Sequence, residues 1–238
     1  MQEKHISQAF DRDLDGLQAL IMKMGGLVEA SIQQAVRAFL DRDEDLANQV
    51  RRTDARIDAL EEEVNEEAAR VIALRNPRAT DLRTVLSVMK IAGNLERCGD
   101  YTKNLAKRTK VLATLQPVSE AAPAIRRMAR DVEAMLKDAL DAFAQRDAEL
   151  AAQVIERDDE VDQMYNAVFR ELLTHMMEDP RNITASMHLH FIAKNMERMG
   201  DHVTSVAEQV VYLVTGERPG ERRSKSDETP FMDADGVV

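Results

Sequence analysis

The chain has 238 residues and a formal net charge of -11, from 32 basic and 43 acidic side chains; 44% of residues are hydrophobic but only 4% aromatic, with no Trp, 9 Gly and 6 Pro. Collagen-like and Pro/Gly-rich chains are excluded, an all-β sandwich or barrel is disfavoured, and the acidic balance weighs against a nucleic-acid partner, which would require clustered Lys and Arg.

Apolar residues recur every three or four positions from Ile6 through Phe10, Leu14, Leu17, Ile21, Met24, Val28, Ile32 and Ala35 to Phe39. This is one face of a long helix. The stretch DRDED (41–45) interrupts the stripe. A second helix follows, with Leu46, Val50, Ile57, Leu60, Val64 and Val71 as its stripe, and RNPRAT (75–80) ends it. A third is predicted over 81–112, and the pattern then repeats over 120–145, 147–178 and 181–214. Pro77, Pro117 and Pro180 stand between these segments and none falls inside one, as helix geometry requires. The last residues, 216–238, are polar, charged and without period, and read as a disordered tail.

The two halves of the chain resemble each other. AFLDRDEDLANQV (38–50) matches AFAQRDAELAAQV (142–154), and NLERCGD (94–100) matches NMERMGD (195–201). The matches include polar residues and Gly at equal spacing, which chance amphipathicity does not produce. The expected fold is therefore all-α: two tandem three-helix bundles over 1–115 and 116–215, then a flexible tail over 216–238.

Candidate chemistry lies beside the core stripes. On the sixth helix Glu197 and Asp201 each follow a stripe residue and stack at i, i+4; on the third, Glu96 and Asp100 do the same. Asp54 and Asp58 on the second helix, and Asp158 and Asp162 on the fifth, form matching pairs. Flanking positions of neighbouring helices face each other, so four carboxylates are expected to converge in each repeat. Such a group cannot stay fully ionised and unpaired at close range. Some members protonate, basic side chains neutralise them, or a cation binds. Oxygen-only ligands suit Mg²⁺, Mn²⁺, iron or Zn²⁺. An acidic helix flank is ordinarily a solvated face, but its repetition in both halves favours a site. Gly99 and Gly200, inside each Glu-x-x-Gly-Asp, cost roughly 1 kcal/mol mid-helix and call for a close backbone approach.

Weaker candidates remain. His202 reads as a surface or capping residue, Arg97 and Arg198 as braces for the carboxylates or surface groups, and Cys98 as a core thiol. No nucleotide-binding glycine motif, nucleophile triad or Glu-x-x-His pair occurs, which disfavours a ferritin-like di-iron oxidase. No stretch is apolar enough to span a membrane, and the N-terminus lacks the pattern of a signal peptide. A cytoplasmic protein is expected.

The paired Glu-Arg-x-Gly-Asp segments (96–100 and 197–201), the Asp-x-x-x-Asp pairs (54–58 and 158–162) and the tandem three-helix layout resemble the PhoU family across residues 4–214. The resemblance implies a cytoplasmic regulator rather than an enzyme. Such a protein represses the phosphate-starvation response, links the ATPase subunit of a phosphate ABC transporter to a PhoR-type sensor histidine kinase, and often forms a homodimer. It also implies metal ions, as multinuclear clusters, on Asp54, Asp58, Glu96 and Asp100, and on Asp158, Asp162, Glu197 and Asp201. A metal-dependent phosphohydrolase using these carboxylates, and an accessory protein of another phosphate permease, are the alternative expectations.

Overall fold

The computed structural model describes residues 2–116 and 121–219, with side chains from residue 9 onward. All regular structure in these residues is helical: α1 (Gln2–Asp41), α2 (Glu44–Arg75), α3 (Thr80–Leu112), α4 (Ala121–Gln145), α5 (Ala148–Glu156), α6 (Asp158–Glu178) and α7 (Ile183–Thr215), with one 3₁₀ turn at Pro180–Asn182. No described helix is long and apolar enough to cross a membrane. Of the expected tail, residues 220–238 lie outside the described residues.

The sequence pattern predicts a single helix over 147–178, and the structure bends it at Arg157 into α5 and α6. Two features favour the bend. Asp158, Asp159 and Glu160 fill the first turn of α6, where carboxylates meet the positive end of the helix dipole. Arg157 is drawn toward α4, its Nη1 lying 2.5 Å from Asp138 Oδ2.

The repeat extends to its turns. Arg42 and Arg146 occupy matched positions with φ of 54° and 57°. The next residue in each case caps the following helix: Asp43 Oδ1 accepts from Leu46 N–H, and Asp147 Oδ1 from Glu149 and Leu150 N–H. Asp43 N–H donates to Ala38 C=O, and Asp147 N–H to Ala142 C=O. Each turn thus satisfies helix-end groups on both sides.

Helices α1, α2 and α3 pack together, as do α4, α5–α6 and α7, while α3 lies along α7 and α1 against α4. The stripes read from the sequence form the core. Ile21, Met24, Val28, Ile32, Ile57, Ile91 and Leu95 are inaccessible to solvent, as are Ile192, Met196, Met199, Val203 and Val206. That core is one continuous cluster across both repeats. Cys98 of α3, with its Sγ 3.9 Å from Met199 C=O, marks the crossing with α7. At a second close approach, a Cβ on Gly25 of α1 would stand 2.5 Å from Leu140 Cδ1 of α4.

Candidate functional site

The core register fixes where the carboxylates fall. Because Ile57 and Val161 are buried, Asp58 and Asp162, one residue on, turn toward α3 and α7 respectively. Gly99 and Gly200 allow the helices to close: a Cβ at Gly99 would lie 3.1 Å from Ile57 Cδ1, and one at Gly200 would lie 3.3 Å from Asp158 Oδ1. The glycines therefore serve helix–helix approach at the carboxylate motifs.

In the first repeat Asp54, Asp58, Glu96 and Asp100 share one region of the α2–α3 surface. Asp54 is buried, its side chain 4% exposed, and forms an ion pair with Lys103 Nζ. The same ammonium stands 3.3 Å from Asp100 Oδ1. Asp54 Oδ1 is shut off from water without a hydrogen-bond partner. Burial, then the charge of Asp54, pushes the Asp58 carboxyl above its ordinary range, against the pull of Lys103. Burial also raises Glu96, with Asp100, Glu61 and Asp58 adding repulsion and Arg97 opposing it. Lys103 is raised chiefly by its hydrogen bond to Asp54. Arg97 braces the rim, 3.4 Å from Glu96 and 3.6 Å from Asp100.

The second repeat places its acids on the same scaffold with different neutralisation. Asp162 and Glu197 are buried, and Glu197 is only 5% exposed. Lys194 Nζ lies 2.9 Å from Glu197 Oε1 and 4.7 Å from the centre of the Tyr165 ring. Glu197 Oε2 has no hydrogen-bond partner. Burial lifts this carboxyl to about 7, against Lys194, and Asp201 and Asp162 push it further.

The first set is thus brought together, as are Asp162, Glu197 and Asp201 of the second, with Asp158 beside Gly200, and basic side chains offset charge in each. The sequence reading missed Lys103, Lys194 and Glu61. Lys103 follows Asp100 by three and Lys194 precedes Glu197 by three, which was the available signal. The lysines do not correspond between repeats: Thr204 matches Lys103, and Gly93 matches Lys194. As the side chains stand, no group of three or more Asp, Glu, His or Cys among the described residues is arranged to hold a metal ion. The donor chemistry nevertheless suits a hard cation, and Asp54 Oδ1 and Glu197 Oε2 are two buried carboxylate oxygens still lacking a partner.

The remaining candidates are placed elsewhere. His202 Nδ1 lies 2.8 Å from Asn94 Oδ1, and its ring stands 5.7 Å from that of Tyr101, so it links α7 to α3. Arg198 is exposed. Burial pushes the Cys98 thiol up to about 12, as expected of a core thiol.

The PhoU domain model matches residues 21–109 and 125–210, one copy per repeat. A phosphate-specific transport system accessory protein PhoU homolog of Caulobacter vibrioides (strain NA1000 / CB15N) is 44% identical over 224 residues, covering 94% of this chain and 97% of its own. One from Rhizobium meliloti (strain 1021) is 44% identical over 232 residues, covering 98% of each. The crystal structure of PhoU from Pseudomonas aeruginosa superposes with a TM-score of 0.84 at 40% identity, over 87% of this chain and all of that one. The phosphate transport system regulatory protein PhoU from Streptococcus pneumoniae gives a TM-score of 0.82 at 29% identity, over 89% and 99%.

Proposed function

The chain belongs to the PhoU family, and from that premise we propose that it is a negative regulator of phosphate uptake and of the phosphate-starvation response. In this reading it works in the cytoplasm as an adaptor between the ATPase subunit of a phosphate ABC transporter and a PhoR-type sensor kinase. It touches the membrane only through those partners and associates as a homodimer. The observation that carries the reading is the match of both repeats to one domain, together with relatives that are accessory proteins of phosphate-specific transport.

The adaptor reading needs no nucleophile. The one cysteine is buried, with a thiol that stays protonated near neutrality. It does need a rigid body, and long helices packed on one continuous core support that. The acidic clusters belong to the same proposal as metal sites. Asp54, Asp58, Glu96 and Asp100 would hold cations in the first repeat, and Asp158, Asp162, Glu197 and Asp201 in the second. Metal there would neutralise like charges that the fold holds close, and would free Lys103 and Lys194 from that role.

Deleting the gene and restoring wild type or Glu96→Ala/Glu197→Ala tests this, with a starvation-responsive reporter read in phosphate-rich medium. The deletion is expected to derepress the reporter and the wild type to silence it, with kinase and ATPase recovered on the tagged protein. A reporter that stays silent in the deletion overturns the regulatory reading. Phosphate-ester turnover by the purified protein, lost in the double variant, would instead make the chain a phosphohydrolase.

A further inference from the structure

Where α3 and α7 meet near Gly216, the molecule gathers positive charge around a small pocket. Ser87, Met89 and Lys90 of α3 face Gln209, Tyr212 and Arg218, enclosing about 280 Å³. The Arg83 and Arg218 guanidinium carbons stand 5.8 and 5.6 Å from the centre of the Tyr212 ring. Gly216 makes this possible. It ends α7 with φ of 84°, and a Cβ there would collide with Arg83 Nη1. Among the described residues no carboxylate is ion-paired to Arg83, Lys90 or Arg218, in a chain whose net charge is -11.

The polar atoms here also lack partners. Ser87 is 1% exposed and its Oγ has no hydrogen-bond partner; Arg83 Nε and Gln209 Oε1, on half-buried residues, are shut off from water and lack one too. Buried groups of this kind are normally satisfied, so three at one place call for an explanation. Rotating the Gln209 amide would present Nε2, a donor, in place of Oε1.

The repeat supplies an internal comparison. Helices α3 and α7 pair antiparallel, with Asn94 meeting His202 and Arg108 meeting His188. At the opposite end of this pair His188 takes the place of Ser87, Phe191 that of Lys90, and Arg108 that of Gln209. There the Arg108 guanidinium lies 4.1 Å over Phe191 and Nη1 lies 3.4 Å from His188 Nδ1, so the chain fills its own space. At the Gly216 end Ser87 and Gln209 are smaller than their counterparts and leave the space open, with Lys90 among the cations on its rim.

The geometry points to a binding site for a small organic phosphate, its phosphoryl group held by Arg83, Lys90 and Arg218 and its apolar body set against Leu86 and Met89. Two guanidiniums offer forked donors to phosphoryl oxygens, and Lys90 adds a point charge. Ser87 Oγ supplies a further hydrogen bond from the floor. The volume admits a ligand of roughly a dozen heavy atoms at most, just under the usual range for ligand pockets.

Isothermal titration of the full chain with phenyl phosphate tests the proposal. One site is expected, with inorganic phosphate and benzyl alcohol each binding roughly tenfold more weakly or worse, since each lacks half of the recognition. Lys90→Glu, at an exposed position, is expected to weaken phenyl phosphate roughly tenfold or more, as is Arg83→Gln, while Arg37→Gln on α1 leaves binding unchanged. Absence of phenyl phosphate binding, equal binding of inorganic phosphate, or undiminished binding by Lys90→Glu overturns the proposal.

Discussion

Replacing Glu197 by Gln removes a charge that the fold holds at a cost. The carboxyl is 5% exposed, and burial raises it from 4.5 to about 7 even with Lys194 beside it. The folded chain therefore keeps this proton to near pH 7, whereas the unfolded chain releases it near 4.5. Between those values the folded state binds more protons, so stability falls as pH rises through the window. A difference of about 2.5 units, at 1.36 kcal/mol each, amounts to about 3 kcal/mol at full ionisation. Gln keeps the shape and an acceptor for Lys194 Nζ but never ionises. Urea unfolding of chelator-treated protein, followed by circular dichroism between about pH 5 and 8, reads the difference. The wild type is expected to lose stability across the window by about 3 kcal/mol more than Glu197→Gln. Parallel pH profiles for the two would refute the claim that burial of this carboxyl sets its titration. Asp58 and Glu96, also raised, contribute equally to both proteins and cancel.

Lys103→Met leaves the buried Asp54 carboxylate without its ammonium. A loss of about 3 kcal/mol is expected near neutrality, read by urea unfolding. Asp43→Ala and Asp147→Ala each remove a helix cap. Each is expected to cost about 1 kcal/mol, and the two losses to add in the double variant because they sit on separate turns. Cys98 is inaccessible and its thiol lies at about 12. Iodoacetamide is expected to spare it in native protein and label it in urea, read by mass spectrometry.

The helices and their buried faces were legible because one periodicity runs through each segment. Leu189, Ile192, Met196, Met199, Val203, Val206, Val210 and Leu213, spaced by three or four along the last helix, are all buried, for example. The repeat was legible because its turns are specified locally, as at Arg42-Asp43 and Arg146-Asp147. The bend at Arg157 escaped the pattern because no proline or glycine marks it; a partner on α4 and an acidic first turn do. In the acidic clusters the carboxylates were legible from their position beside the stripe. Their neutralisation was not, since Lys103 and Lys194 reach in from non-equivalent positions and only the packing of α2 on α3 and α6 on α7 shows their targets. The role of Glu61 beside Asp58 and Glu96 depends on the same packing.

The claim that these clusters are cation sites is tested most directly by the metal content of protein purified without chelator, wild type against Glu96→Ala/Glu197→Ala. The account predicts bound iron, manganese, magnesium or zinc in the wild type and its loss from the double variant. Equal metal in both, or none in either after incubation with each ion, would contradict it.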